Sequence, residues 1–286
     1  MTRFFIKLLK LNAKLARYIA KYLPFITKPV DSSHPTFISA EQHVPFKELY
    51  YQHTLNTSDK WAHYFDVYDD FFKRYIGTNP QVLEIGVQNG GSLQILSQYL
   101  QNARIYGVDI DPNVVNLRLE ENITVFNFDI TDKQAITKNF KNSAFDIIID
   151  DGSHICYDII TTFQLLFSML KPGGVYLIED LHTSYWNSHG GSYLGKDSAI
   201  EFFKKFADLL HFYHINDDQF DKNLSKSDVY TFQWLQSISF HDSVVVIHKR
   251  LTPRYSPYKR VIVGKLEPVA TVIALAKKEG WYHSIH

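Results

Sequence analysis

Between residues 81 and 180 the sequence alternates short apolar runs with helix-like stretches, and every apolar run carries an acid at or near its end. QVLEIGV carries Glu84, ARIYGVDID ends at Asp109, TVFNFD at Asp129, FDIIIDD at Asp150 and Asp151, and VYLIED at Glu179 and Asp180. Runs of this length, rich in Val, Ile and Leu, suit strands buried on both faces. Strand and helix alternating at these intervals predict right-handed parallel crossovers and an α/β, doubly wound, Rossmann-like sheet. Ligands of such sheets bind outside the carboxyl ends of the strands. Any one of these acids could cap the next helix, but five strand ends in succession point to chemistry.

The first strand leads into a glycine turn, IGVQNGGS, and then a helix beginning near Leu93. Gly86, Gly90 and Gly91 allow a tight bend beside bare backbone N–H groups, and Ser92 is expected to cap the helix. The dinucleotide fingerprint G-x-G-x-x-G is not met, because its second glycine is missing. Glu84 would repel a phosphate, so the turn suits a cationic ligand, such as the amino group or sulfonium of S-adenosylmethionine. A nicotinamide oxidoreductase is the disfavoured alternative.

The 286 residues and their 45% hydrophobic content allow one large α/β domain with extensions, drawn as 1–30, 31–80, 81–250 and 251–286. Thirty basic residues balance thirty acidic ones, so no overall field favours nucleic acid. The single cysteine, Cys156, excludes an internal disulfide framework and fits a reducing, cytoplasmic setting. Arg3, Lys7, Lys10, Lys14, Arg17 and Lys21 share one face of a predicted N-terminal helix. That helix could lie on the inner face of an anionic membrane, or pack on the domain or a sister subunit of a homo-oligomer.

Further along, TSDKWAHYFDVYDDFF places Trp61, Tyr64, Phe65 and Tyr68 on one helical side, a core stripe with room to act as a lid. PNVVNLRLE begins a helical turn at Pro112, DKQAITKNF is a short helix, and a longer one is expected from Ile155 to Leu170. After the fifth strand, LHTSYWNSHGGSYLG is a loop expected to border the substrate. Lys196 to Phe212 is predicted helical, and Val229 to Phe240 with Ser243 to Lys249 a β-hairpin joined through His241 and Asp242.

Two strings carry the chemistry. In DDGSH, Asp151 and His154 stand across a Gly-Ser turn; in EDLH, Glu179 and Asp180 end the adjacent strand. Asp151, Glu179 and Asp180 offer three carboxylates to a hard divalent ion such as Mg²⁺. His154 is the nearby group that titrates near neutrality and could accept a proton, although it could instead cap a helix or bind a strand-end carboxylate.

From TSDKWAHY, LEIGVQNGGS, GVDID, DDGSH and IEDLHTSYW, the chain resembles a class I S-adenosylmethionine-dependent methyltransferase. The resemblance is to the metal-dependent sugar O-methyltransferases of macrolide deoxysugars and their rhamnosyl O-methyltransferase and cephalosporin hydroxylase-labelled relatives. It spans roughly Thr57 to Arg250. It implies that Glu84, Gly86, Gly90 and Ser92 surround the methionine part of the cofactor, that Asp109 binds its ribose, and that Asp129 lies near its adenine. It implies Asp151, Glu179 and Asp180 as Mg²⁺ ligands, His154 as general base, and Tyr64 with Lys60 and His63 as contacts of cofactor or substrate. The expected partner is a small-molecule or glycan hydroxyl acceptor. A non-catalytic glycan-binding protein is the other alternative, and hydroxylation fits poorly without a 2-His-1-carboxylate pattern.

Overall fold

The computed structural model describes residues 44–215, 225–256, 258, 261–264, 266 and 268–271. The basic N-terminal segment and the helical patch expected in the tail lie outside these residues. Among the described residues no helix is long and apolar enough to cross a membrane.

Seven strands form one sheet: β1 Gln81–Ile85, β2 Arg104–Asp109, β3 Ile123–Asn127, β4 Phe145–Asp150, β5 Leu170–Ile178, β6 Leu235–His241 and β7 Val244–Lys249. Their order is β3-β2-β1-β4-β5-β7-β6. The first five pair in parallel, and β7 joins β5 and β6 antiparallel. The predicted mixed, doubly wound sheet is therefore the one observed. Its order reverses between β1 and β4, where open α/β sheets take ligands.

Strand periodicity sorts the core into two faces. Ile147 and Ile149 of β4, Val175 and Leu177 of β5, and Val244 and Val246 of β7 pack on one side with Phe46, Tyr64, Tyr68 and Leu93. Those partners come from α1 (Phe46–Gln52), α2 (Tyr64–Phe72) and α3 (Gly91–Tyr99). Ile148, Tyr176, Ile178, Val245 and Ile247 face the other side, against Phe140, Phe163 and Phe203. These belong to α4 (Lys133–Phe140), α5 (Cys156–Leu166) and α6 (Ala199–Leu210).

Several boundaries differ from the sequence expectation. β3 stops at Asn127, so Asp129 stands in the following loop, where its carboxylate accepts from the Thr131 N–H and hydroxyl. α5 gives way to a 3₁₀ turn at Phe167–Met169, and β5 begins at Leu170, where the helix was expected to end. Residues expected at the start of the hairpin form instead α7 (Lys226–Trp234), because Ser225 and Asp228 cap it reciprocally. Ser92 is no cap: Gly90, at φ 82°, takes that position, and Ser92 sits buried inside α3.

Candidate active site

Alternation decides where the strand-end acids point. Glu84 shares a parity with Val82, which packs on the α1–α3 side. Asp151 and Glu179 extend the series of Ile149 and Leu177 toward the same side, because the ladder continues past the strands: Asp151 N–H donates to Ile85 O, and Glu179 N–H to Asp150 O. Asp150 has the opposite parity. The row of acids read from the sequence is thus split between two faces.

On the α2 side, Lys60 meets these carboxylates. Its side chain is 1% exposed, and its ammonium donates to Asp151 Oδ2 at 2.9 Å and to Glu179 Oε1 and Oε2 at 2.9 and 3.0 Å. Tyr68 donates its hydroxyl to Glu179 as well. Burial alone would pull the Lys60 ammonium down, but the charges of Asp151 and Glu179 override it and hold the group well above the usual range. Burial, reinforced by the charge of Asp151, pushes the carboxyl of Glu179 up.

Lys60 reaches this place on a strap formed by the residues just before α2. Asn56 N–H donates to Gln94 Oε1 in α3, and a Cβ on Gly91 would fall 2.3 Å from Asn56 O. Gly91 is thus a packing glycine. Gly86, at φ 88°, is one too: a Cβ there would fall 2.0 Å from Asp151 O, so only glycine lets the β1 and β4 loops approach.

Asp180 is turned out of the series by a left-handed backbone, φ 54°, and His154 has φ 56°. Non-glycine residues take this conformation only where surrounding structure enforces it. Here Thr183 supplies that hold, its hydroxyl within reach of both His154 O (3.0 Å) and Asp180 O (2.8 Å). As a result His154 Nε2 lies 3.8 Å from Asp151 Oδ1 and 3.5 Å from Asp180 Oδ2. Tyr64 donates to Asp180 Oδ1 at 2.6 Å and accepts from the Asp180 N–H, so it positions Asp180 rather than bordering the cavity.

One ligand atom from each of Asp151, His154 and Asp180 can be chosen so that all lie within 4.8 Å of one another. Two carboxylate oxygens suit a divalent ion with open positions, and the imidazole stands beside them. Of the expected trio of Asp151, Glu179 and Asp180, the structure brings Asp151 and Asp180 together with His154. Glu179 stands outside the group, with both carboxylate oxygens engaged by Lys60 and one of them also by Tyr68.

A cavity of ≈ 250 Å³ opens at the carboxyl ends of β1 to β4, lined by Gly86, Asp109, Ile110, Phe128, Asp129 and Asp150 among others. Of the residues expected at the cofactor, Gly86, Asp109 and Asp129 line it; Glu84, Gly90, Ser92 and Tyr64 do not. Asp109 spends Oδ2 on the Val87 and Gln88 N–H groups, which folds the glycine turn. Burial pushes the Asp150 carboxyl up to about 7. Glu84 is fully enclosed, accepts from Ser92 Oγ at 3.1 Å, and has a buried Oε1 with no partner among the described residues. An orphaned carboxylate oxygen suits a ligand ammonium.

Aromatic rings lead away from the acidic group. His182 Nδ1 is 3.9 Å from Asp180 Oδ1, and its ring meets Trp61 at 6.0 Å and Trp186 at 4.8 Å between centroids. Both tryptophans are about half exposed, at 57% and 48%. The β6–β7 turn holds this edge, since Ser243 O accepts from Leu181 N–H and Ser243 Oγ lies 2.5 Å from His182 Nδ1.

Residues 83–181 match a family described as a methyltransferase domain. The 8-demethyl-8-alpha-L-rhamnosyl tetracenomycin-C 2'-O-methyltransferase of Streptomyces olivaceus is 31% identical over 71% of this chain and 55% of its own length. Demethylmacrocin O-methyltransferase of Streptomyces fradiae is 36% identical over 56% and 43%. The chain thus spans about half the length of the curated relatives it matches. Among solved structures, MycE methyltransferase from the mycinamycin biosynthetic pathway, in complex with Mg and SAH, superposes with a TM-score of 0.63 at 27% identity, covering 73% of this chain and 55% of that one. With this strand order, residues 83–181 match a methyltransferase domain, and the curated relatives named here, to which the chain is similar, are O-methyltransferases.

Proposed function

We propose that the chain is an S-adenosylmethionine- and Mg²⁺-dependent O-methyltransferase whose acceptor is a sugar hydroxyl of a glycoside, glycolipid or polysaccharide precursor. The observation that carries this reading is His154 Nε2 set between Asp151 Oδ1 and Asp180 Oδ2, at the end of the sheet where the cavity opens. When bound, the divalent ion would supply Lewis acidity toward the acceptor hydroxyl and the cofactor its methyl group. Asp151 and Asp180 would hold the ion, with Glu179 behind them. His154 would take the hydroxyl proton.

The cofactor's ammonium would satisfy the orphaned oxygen of Glu84, its ribose would lie at Asp109, and its adenine near Asp129. Gly90 and Ser92 would act indirectly, by shaping the turn and orienting Glu84. Trp61 and Trp186 give the acceptor side broad apolar faces with polar edges, which suit the mixed character of a sugar ring. Residues 1–30 would contact an anionic membrane surface or a second subunit.

The test is transfer of labelled methyl from the cofactor to nucleotide sugars, glycolipids and free deoxysugars, with and without Mg²⁺. Asp151→Asn should keep cofactor affinity within a few-fold, yet lose about 10²-fold or more of the metal-dependent turnover. Full activity in excess chelator would end the metal role. Tight binding of a glycan with no transfer to any acceptor would favour a binding protein instead.

A further inference from the structure

Lys60 is a lysine with almost no water around it, set among acids that the proposed reaction would need elsewhere. Its ammonium makes three short contacts to two carboxylates, Asp151 Oδ2 and both oxygens of Glu179, and lies 5.6 Å from the Tyr68 ring centre. The strap that delivers it is fixed at both ends: Asn56 is bonded to Gln94 and packed on Gly91, and α2 begins at Tyr64. A long flexible side chain buried so completely is placed, not parked.

The geometry divides the Asp151 carboxylate in two. Oδ2 is taken by Lys60, and Oδ1 is the oxygen facing His154 Nε2 at 3.8 Å. Glu179 is fixed in the same way by three contacts, two from Lys60 and one from Tyr68. Without a resident cation, Asp151, Glu179 and the neighbouring Glu84 would repel one another across a poorly hydrated space.

We propose that Lys60 is a positioning residue of the ion site: it clamps Asp151 and Glu179 so that the outward oxygen of Asp151 stands beside Asp180 and His154 before any divalent ion arrives. This rests on the metal reading above. It makes an unusual demand on sign. Removing a positive charge beside carboxylates should, by charge alone, strengthen cation binding. Removing a clamp should weaken it, and outer partners of ion ligands are typically worth about 10–100-fold in affinity.

The experiment is Mn²⁺ titration of the full chain without cofactor, followed by the electron paramagnetic resonance signal of the free ion. Lys60→Met and Lys60→Ala should each bind Mn²⁺ about tenfold or more weakly than the wild type. Ethylammonium should restore part of the loss in Lys60→Ala, whereas ethanol at the same concentration should not; a merely structural defect would not distinguish the two. If Lys60→Met does not fold, Glu179→Gln removes the charge left behind, and K60M/E179Q should still bind Mn²⁺ about tenfold more weakly than E179Q alone. Unchanged or tighter Mn²⁺ binding in the Lys60 variants, or no response to ethylammonium, overturns the inference and leaves the metal reading standing. A wild type that binds no Mn²⁺ overturns both.

Discussion

Glu84 is a buried acid within the apolar run of β1. Burial pushes its carboxyl up to about 7 from an ordinary 4.5. The native chain then holds its proton more tightly than the unfolded chain does, so stability falls as pH rises through the window between those values. A shift of this size corresponds to about 3 kcal/mol once the pH is above 7. Glu84→Gln should therefore flatten part of the loss of stability between pH 5 and pH 8 in urea denaturation, while Asp150 and Glu179, whose carboxyls burial also raises, keep a slope in the same direction. It should also weaken S-adenosylhomocysteine binding at pH 8, since an amide cannot offer an ammonium a charged acceptor. A slope and an affinity equal to wild type would remove Glu84 from both roles. The sequence made this residue legible, because an acid inside QVLEI has no ordinary reason to be there. Lys60 was harder to read: one lysine in an aromatic stripe looks like a solvated charge, and its acidic partners lie 91 and 119 residues away.

Elements were legible in proportion to the strength of their periodicity. The five parallel strands announce themselves by dense apolar runs, whereas α7 has scattered apolar positions, and the one local sign of it is the Ser225–Asp228 box. The glycine turn shows a different limit. Its glycines were visible, but the tasks of Gly86 and Gly91 depend on what crosses them, namely the Asp151 loop and the Asn56–Thr57 strap. Gly91→Ala would thrust a methyl into that strap, where overpacking of this kind costs about 1–3 kcal/mol. Its midpoint in denaturant should fall accordingly, and amide exchange should accelerate over residues 53–60 more than in the strands. Equal protection of the strap in both proteins would show that α3 and the strap do not bear on each other as described.

At the scale of the whole molecule, the site draws on three separate parts of the chain. The family match ends at residue 181, but Lys60, Tyr64 and Tyr68 come from before it and Ser243 from after it. A fragment of residues 83–181 would lose α1 and α2 from one face and leave β5 without β7. It would then expose a long apolar edge strand. Such a fragment should aggregate and show no cooperative transition by calorimetry, while a chain beginning at residue 44 should keep one.

His154 and Asp180 bear on how such a protein can be improved. Both stand where the backbone favours glycine, so His154→Gly or Asp180→Gly would relieve strain at the moment it deleted a side chain of the proposed site. A laboratory selection for heat tolerance alone would be drawn to these two positions and, on the proposed reading, would return sturdier proteins that had lost their chemistry.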